Sequence, residues 1–347
     1  MEILFVTNPV AGLYIEIERE MIRQGHHVTT IIDTLLKHDP SMNTIPIISH
    51  IKIPVWKKAV RNHWNKLFET RIDLKIKYDV LFVISGCSID SSVVDKLKIN
   101  NPDLHTVLYT WDSCNHYNFE RHFPYFDKCY TFDIQDSKRN PNWELLPIYY
   151  VSQPQLSSKS IEYDLFSMGS NHDGRYSFIK KILPQLKGII YYIKIVSKEY
   201  NYGIKEIIRV YLGCNNQLKE EIDFSKGKEN AEILLRESIS PSEYISLVTK
   251  SHVILDDQRE GQSGLTARFM WALGNGKKII TTNKWAYDYP FVNHNQVAII
   301  SKDSPKISLE FVKKEMIQDD NTDVRQYEIS KWVSLILSKY EVDEEDL

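Results

Sequence analysis

Short apolar runs separated by amphipathic stretches recur along this chain. EILFVTN, beginning at Glu2, is one such run, and GLYIEIEREMIRQG after it places apolar residues at helical intervals and stops at Gly25. HHVTTIID then predicts a second strand, so the opening segment reads as a β-loop-α-β unit of a parallel sheet. A basic, Trp-containing segment from Trp56 to Lys75 predicts one or two helices. YDVLFVISG, LHTVLYTWD and DKCYTFDI predict three further strands, with SSVVDKLKIN a helix after the first. Continuous apolar runs of this kind suit parallel strands covered on both faces.

The pattern breaks near Pro147. VSQPQLSSKS is polar and aperiodic, which predicts an interdomain linker over 151–160. Alternation then restarts: YDLFSMGS, YYIKIVS, HVILDD and KKIITTN predict strands, while RYSFIKKILPQL, SPSEYISLVTKS and the stretch after Gly264 predict helices. A last helix spans Val324 to Tyr340, with Trp332, Leu335 and Ile336 among its apolar positions. The expected fold is α/β, with two Rossmann-like domains and a cleft between them: 1–150, then 161–323, with 324–347 a C-terminal helix returning toward the first domain. Ligands of such sheets bind beyond the carboxyl ends of the strands.

Composition narrows the function classes. A chain of 347 residues, 42% hydrophobic and 26% charged, is an ordinary globular composition. A net charge of −3 gives no basic footprint, so nucleic acid is not an expected partner. No apolar run approaches a membrane span and no leader pattern opens the chain. Cys87, Cys114, Cys129 and Cys214 are widely spaced, as expected of reduced thiols in a cytoplasm rather than of disulfides or a zinc site.

Small and polar residues cluster where strands are predicted to end. Asn8 to Gly12, Ser85-Gly86 with Cys87 and Ser88, and Asp112-Ser113 leave three strands of the first half. The first two loops read equally as ligand approaches or as plain βα turns. Asp112, directly after TVLYTW, reads as a general base or hydroxyl-binding carboxylate, or as the N-cap of a following helix. In the second half, Gly169-Ser170-Asn171-His172 with Arg175 forms an anion-prone turn. It lacks the GxGxxG and GxxxxGKS patterns, which argues against dinucleotide or P-loop binding. Glu260-Gly261-Gln262-Ser263-Gly264 opens a helix near Leu265, and the N–H groups of Gly264, Leu265 and Thr266 are expected to face a ligand. Leu265, Phe269, Ala272 and Leu273 share one face and predict core, with Arg268 at its edge.

Gly264-Leu265-Thr266, Arg268, Ala272-Leu273-Gly274 and Gly276 through Asn283 resemble the C-terminal signature of bacterial GT-B glycosyltransferases. These act in lipopolysaccharide, O-antigen and capsule assembly and include CgeB-like proteins. Tyr109 to Ser113, Phe132 to Asp136 with Leu146-Pro147, and Tyr163-Asp164 through Gly169-Ser170 to Arg175 resemble the same group, in the same order. The resemblance implies that a nucleotide-sugar donor is held by the C-terminal domain. Gly169, Ser170, Arg175, Gln262, Gly264, Leu265, Thr266 and Arg268 would border its phosphates, and Arg236, Glu237 and Ser238 its base. The acceptor, a glycan or lipid-linked glycan, would lie against Asn8, Gly12, Ser85, Gly86 and Ser113. One position departs: aligned through Ala272-Leu273-Gly274, Trp271 stands where the group carries a ribose-binding Glu, and an indole only donates.

Such enzymes neutralise a leaving diphosphate with helix N-termini and cations, so no metal or cofactor is expected. Asp256-Asp257 and Asp319-Asp320 are adjacent pairs, not DxD, and the His residues show no ligand spacing. Asp112 would be the base if the reaction inverts and would position the acceptor if it retains. Rival expectations are a sugar-nucleotide 2-epimerase, an inactive nucleotide-sugar- or glycan-binding protein and a dehydrogenase. Lys52 to Lys58, with Arg61, Trp64 and Lys66, reads either as a solvated helix with buried Trp or as a peripheral contact with the inner membrane, at its cytoplasmic face.

Overall fold

The computed structural model describes residues 1–9, 12–33, 58, 61–86, 89, 91–152, 161–171, 173–197, 216–315 and 323–338. The predicted linker from 153, the segment Lys52 to Lys57, Cys87, Ser88, His172, Cys214, Asp319-Asp320 and the chain after 338 lie outside the described residues. Those described fall into two compact units. The first draws on Met1–Tyr150, Gly261–Leu265 and Arg325–Leu347, the second on Val151–Glu260 and Thr266–Val324.

In the first unit, β1 (Glu2–Thr7), β2 (His27–Ile32), β3 (Val80–Ile84), β4 (His105–Thr110), β5 (Lys128–Thr131) and β6 (Glu144–Leu145) form one parallel sheet, ordered β2-β1-β3-β4-β5-β6. Ile3 pairs with Val80 and Val80 with His105, so the buried runs of β1, β3 and β4 lie side by side. Helix α1 (Leu13–Arg23) stops at Gly25, whose φ of 84° is a left-handed value that costs glycine little. The basic segment contributes α2 (residues 61–70), in which Trp64 is buried in the core with Leu67 while Arg61 and Lys66 are exposed. Helix α3 (Ser91–Asn100) covers the same core through Val93, Val94 and Leu97.

The short α4 (Ile134–Arg139) has no apolar period and is fixed instead by Asp133, whose side chain caps the amides of Gln135 and Asp136.

The second unit begins with β7 (Tyr163–Ser170) and continues through α5 (Arg175–Ile182), β8 (Tyr191–Val196), α6 (Asn216–Lys226), β9 (Leu234–Leu235) and α7 (Pro241–Thr249). It closes with β10 (Ser251–Asp256), α8 (Ala267–Gly274), β11 (Lys278–Thr281), β12 (Val297–Ile299) and α9 (Leu309–Lys313). Its sheet is again parallel, ordered β12-β11-β10-β7-β8-β9. Counted within the unit this is 3-2-1-4-5-6, the dinucleotide-fold order, with its switch point between β7 and β10. The first unit, 2-1-3-4-5 along most of its width, switches between β1 and β3.

The final helix, α10 (Ile329–Leu337), completes the first unit. Trp332 is fully buried, edge-on to Tyr109 at 5.0 Å and beside Phe82 and Tyr149, and its indole donates to the Pro147 carbonyl at 3.0 Å. The helix is shorter than the pattern predicts, because 323–327 is a 3-10 turn.

Candidate functional site

Both switch points carry polar residues that the surrounding sheet holds in place. In the second unit Gly169 and Ser170 end β7 and Asp256 ends β10, followed by Asp257. Asp256 is fully buried and accepts from Thr266 Oγ1 (2.7 Å), Thr281 Oγ1 (2.9 Å) and Arg268 Nε (3.2 Å). Arg268 Nη2 also reaches the Asp257 carbonyl at 2.8 Å. Asp257, 2% exposed, pairs with Arg175 Nε at 3.3 Å and with Lys302 Nζ at 2.9 Å. Arg175 additionally donates to the Ser170 carbonyl.

These contacts set the charge of the switch point. Arg175, Arg268 and Lys302 stand against Asp256 and Asp257, which leaves one positive charge in excess. Arg175 is 3% exposed, and burial, with the Arg268 charge beside it, brings its guanidinium down to about 10. It therefore stays charged at neutral pH. A Cβ on Gly169 would lie 2.5 Å from Arg175 Nη1 and 3.0 Å from Arg268 Nη1. Gly169 is thus glycine for space: both guanidinium ends close over its α-carbon.

The sequence places several of these groups differently. Arg268, expected beside an anion-prone turn at the donor phosphates, also holds the unit's own groups, its Nε donating to Asp256 and its Nη2 to the Asp257 carbonyl. Helix α8 begins at Ala267, not Leu265, and Thr266 is its N-cap, accepting from Phe269 N at 3.1 Å. The Gly264 amide, expected to face a ligand, donates to Asp133 Oδ2 at 3.2 Å, and Gly264 and Leu265 belong to the first unit. Arg236 follows β9 and reaches the Ser225 carbonyl at 2.8 Å and that of Ser197 at 3.3 Å, while Glu237 and Ser238 are exposed. Trp271, which aligns with a Glu of the group the sequence resembles, is core: 2% exposed and edge-on to Tyr244 at 5.8 Å. Burial raises the Tyr244 phenol well above its ordinary range.

In the first unit the two strands at the switch point are followed directly by Asn8 and Ser85, and Asn8 Nδ2 donates to Ser85 Oγ at 3.1 Å. Ser85 has φ 65° and Gly86 φ 60°, with the Gly86 amide closing on the Ile84 carbonyl at 2.9 Å. A non-glycine residue in such a tight left-handed turn stores about 1–3 kcal/mol of strain. Gly12, φ 70°, opens α1. Ser113 is fully buried, and its hydroxyl accepts the Asn115 amide at 3.2 Å. Asp112 caps no helix, since a run of turns follows it, and its Oδ1 accepts from Gln262 Nε2 at 3.0 Å. Gln262, expected at the donor phosphates, therefore points at Asp112.

The sequence pattern assigns no role of their own to Asp133, Ser263 and Lys302, and no structural role to Asp256-Asp257. A carboxylate pair ending a run as apolar as HVIL is the one signal that marks the last of these. Among the described residues no group of three or more His, Cys, Asp or Glu is placed to hold a metal. No described helix is long and apolar enough to cross a membrane.

Two parallel six-stranded sheets with these orders define a GT-B fold built of two Rossmann-like units. Solved structures share it along nearly their whole length. OtsA in its apo form matches with a TM-score of 0.57, at 11% identity over 99% of this chain and 100% of that one. An E. coli structure described as trehalose-6-phosphate bound with UDP-2-fluoro glucose matches at 0.55, with 11% identity over 97% and 98%. Trehalose-6-phosphate synthase, OtsA, matches at 0.54, with 10% identity over 98% and 100%. No protein-family model matches the chain, and no curated protein matches it in sequence.

Proposed function

We propose that this chain is a nucleotide-sugar-dependent glycosyltransferase that moves a sugar to a hydroxyl of a growing cell-surface glycan. The observation that carries the reading is the switch point of the second unit. There the buried guanidinium of Arg175 and the part-buried one of Arg268 close over Gly169 with one positive charge in excess, beyond the carboxyl ends of β7 and β10. That is where sheets of this order take phosphorylated ligands. The fold shared with an E. coli protein solved bound with UDP-2-fluoro glucose supports it. The glycan class rests on the motif resemblance from Tyr109 to Asn283.

On this reading Arg175, Arg268 and Lys302 supply the field that stabilises the negative charge developing on the leaving diphosphate. The first turns of α5 and α8 add their dipoles to it. Asp256 and Asp257 fix the cations in advance, so little reorganisation accompanies departure of the nucleotide. The acceptor hydroxyl lies against the strand ends of the first unit, near Asp112. In an inverting reaction Asp112 takes its proton; in a retaining one Asp112 orients it. The chain is expected to work without a bound metal.

The test is a thermal-shift screen against UDP-, GDP- and CMP-sugars, followed by transfer assays with the donor that binds. A ligand at a hundredfold its Kd stabilises by about 2.7 kcal/mol. Asp112→Asn is expected to keep that shift and lose transfer. Full transfer in Asp112→Asn would remove Asp112 from the mechanism, and epimer formation from donor alone would replace transfer by epimerisation.

A further inference from the structure

Asp133 is a buried carboxylate, 1% exposed, that none of the proposed donor or acceptor contacts uses. It follows β5 and caps α4, accepting from the amides of Gln135 at 3.0 Å and Asp136 at 3.1 Å on Oδ1. Capping requires no more than this. Yet Oδ2 also accepts from the Ser263 amide at 2.7 Å and the Gly264 amide at 3.2 Å, and Oδ1 from the Ser263 hydroxyl. The Ser263 hydroxyl in turn accepts the Gln135 amide at 3.0 Å. Five donors fill the accepting capacity of one carboxylate. Three of them come from a loop 130 or 131 positions further along the chain.

The same loop is gripped on its other side, where Asn115 Nδ2 donates to the Gly261 carbonyl at 2.7 Å. Between the two grips stands Gln262, whose amide meets Asp112 Oδ1 at 3.0 Å. Phe132 closes against the Gly264 α-carbon so tightly that a Cβ there would fall on its ring.

We infer that Asp133 is a positioning residue for Asp112, acting through Ser263, Gly264 and Gln262. The inference rests on the proposed transferase reading, in which Asp112 meets the acceptor hydroxyl. An amide held on Oδ1 restrains the rotation of the carboxylate that would meet the substrate proton. Loosening the loop removes this restraint, the one that Gln262 places on Oδ1.

The test compares full-length Asp133→Asn and Asp133→Ser with the unaltered protein. Asparagine turns an NH2 toward amides that need an acceptor. Serine still caps α4 but is too short to reach the loop, and it serves if the first variant does not fold. Amide hydrogen exchange is read residue by residue, and transfer kinetics are read with donor and acceptor. The expected result is faster exchange at Ser263 and Gly264 with β4 and β5 still protected. With it comes a roughly hundredfold fall in kcat, the scale of a small misplacement in a reacting site, with donor KM unchanged. Gln262→Ala is expected to lower kcat similarly without changing exchange at Ser263.

Unchanged exchange at Ser263 and Gly264 refutes the anchor. Faster exchange with unchanged kcat refutes the link to Asp112, and loss of protection throughout the unit reduces Asp133 to a fold residue. If the unaltered protein transfers no sugar while the loop alone loosens, the transferase reading fails and the anchor stands.

Discussion

Gly264→Ala tests how tightly the 261–265 loop is seated. A Cβ at 264 would fall on the Phe132 ring, which is itself 2% exposed beside the Asp133 anchor. Two relaxations are open. If the ring moves, the change resembles overpacking of a core, about 1–3 kcal/mol. If the loop moves instead, the Ser263 and Gly264 amides leave Asp133, at about 1.5–3 kcal/mol for each hydrogen bond to a charged group. Ring displacement is the cheaper route, so the expected loss is about 1–3 kcal/mol. For a unit of this size each kcal/mol lowers Tm by about 2–4 °C. Urea and thermal unfolding of Gly264→Ala, Phe132→Leu and the double variant form a cycle. Phe132→Leu opens room, so the double variant is expected to be more stable than the sum of the singles allows. Additive effects, or a Gly264→Ala protein as stable as the original, would refute the close approach.

Asp256→Asn leaves Arg268 without its buried carboxylate and weakens the Thr266 and Thr281 contacts; a loss of about 3–5 kcal/mol is expected by urea unfolding. A loss under about 1 kcal/mol would mean that the arginine is held by other groups. Trp332→Ala removes a fully buried ring and its bond to Pro147, with an expected loss of about 3–5 kcal/mol, and an unchanged urea midpoint would contradict the packing described. Burial, aided by the Arg121 charge, holds the His122 imidazole at about 3 against an ordinary 6.5. Between those values the unfolded chain binds a proton that the folded chain does not. This contribution is therefore complete above pH 6.5 and is lost as pH falls toward 3. His122→Gln is expected to flatten stability against pH across that window, and an equally steep curve would refute the assignment.

The long strands were readable because a parallel sheet buries both faces of runs such as VLFVI and HTVLYT. The switch-point loops followed from where those strands end. β6, β9 and β12 were not readable: two or three residues carry no period, and β6 and β9 pair only at the sheet edges. Helix α4 was missed because IQDSKR is held by a cap rather than an apolar face. The Gly264 turn was read from local geometry alone, which leaves its amides open. Their acceptor, Asp133, lies far away in sequence, where no local pattern could find it. Trp271 looked like a lost ligand contact because alignment compares positions, whereas packing against Tyr244 explains it as core.

The way the first unit is assembled from the chain has a consequence for its synthesis. Its sheet comes from the first 150 residues, but the indole that fills the space beside Phe82, Tyr109 and Tyr149 is Trp332. On a ribosome that sheet emerges early and waits, an apolar slot open on one side, while the second unit is translated. The second unit, lying between these segments, can close before the first does. The nascent chain therefore passes through a period in which this sheet is less protected than the unit made after it, and the arrival of Trp332 ends that exposure.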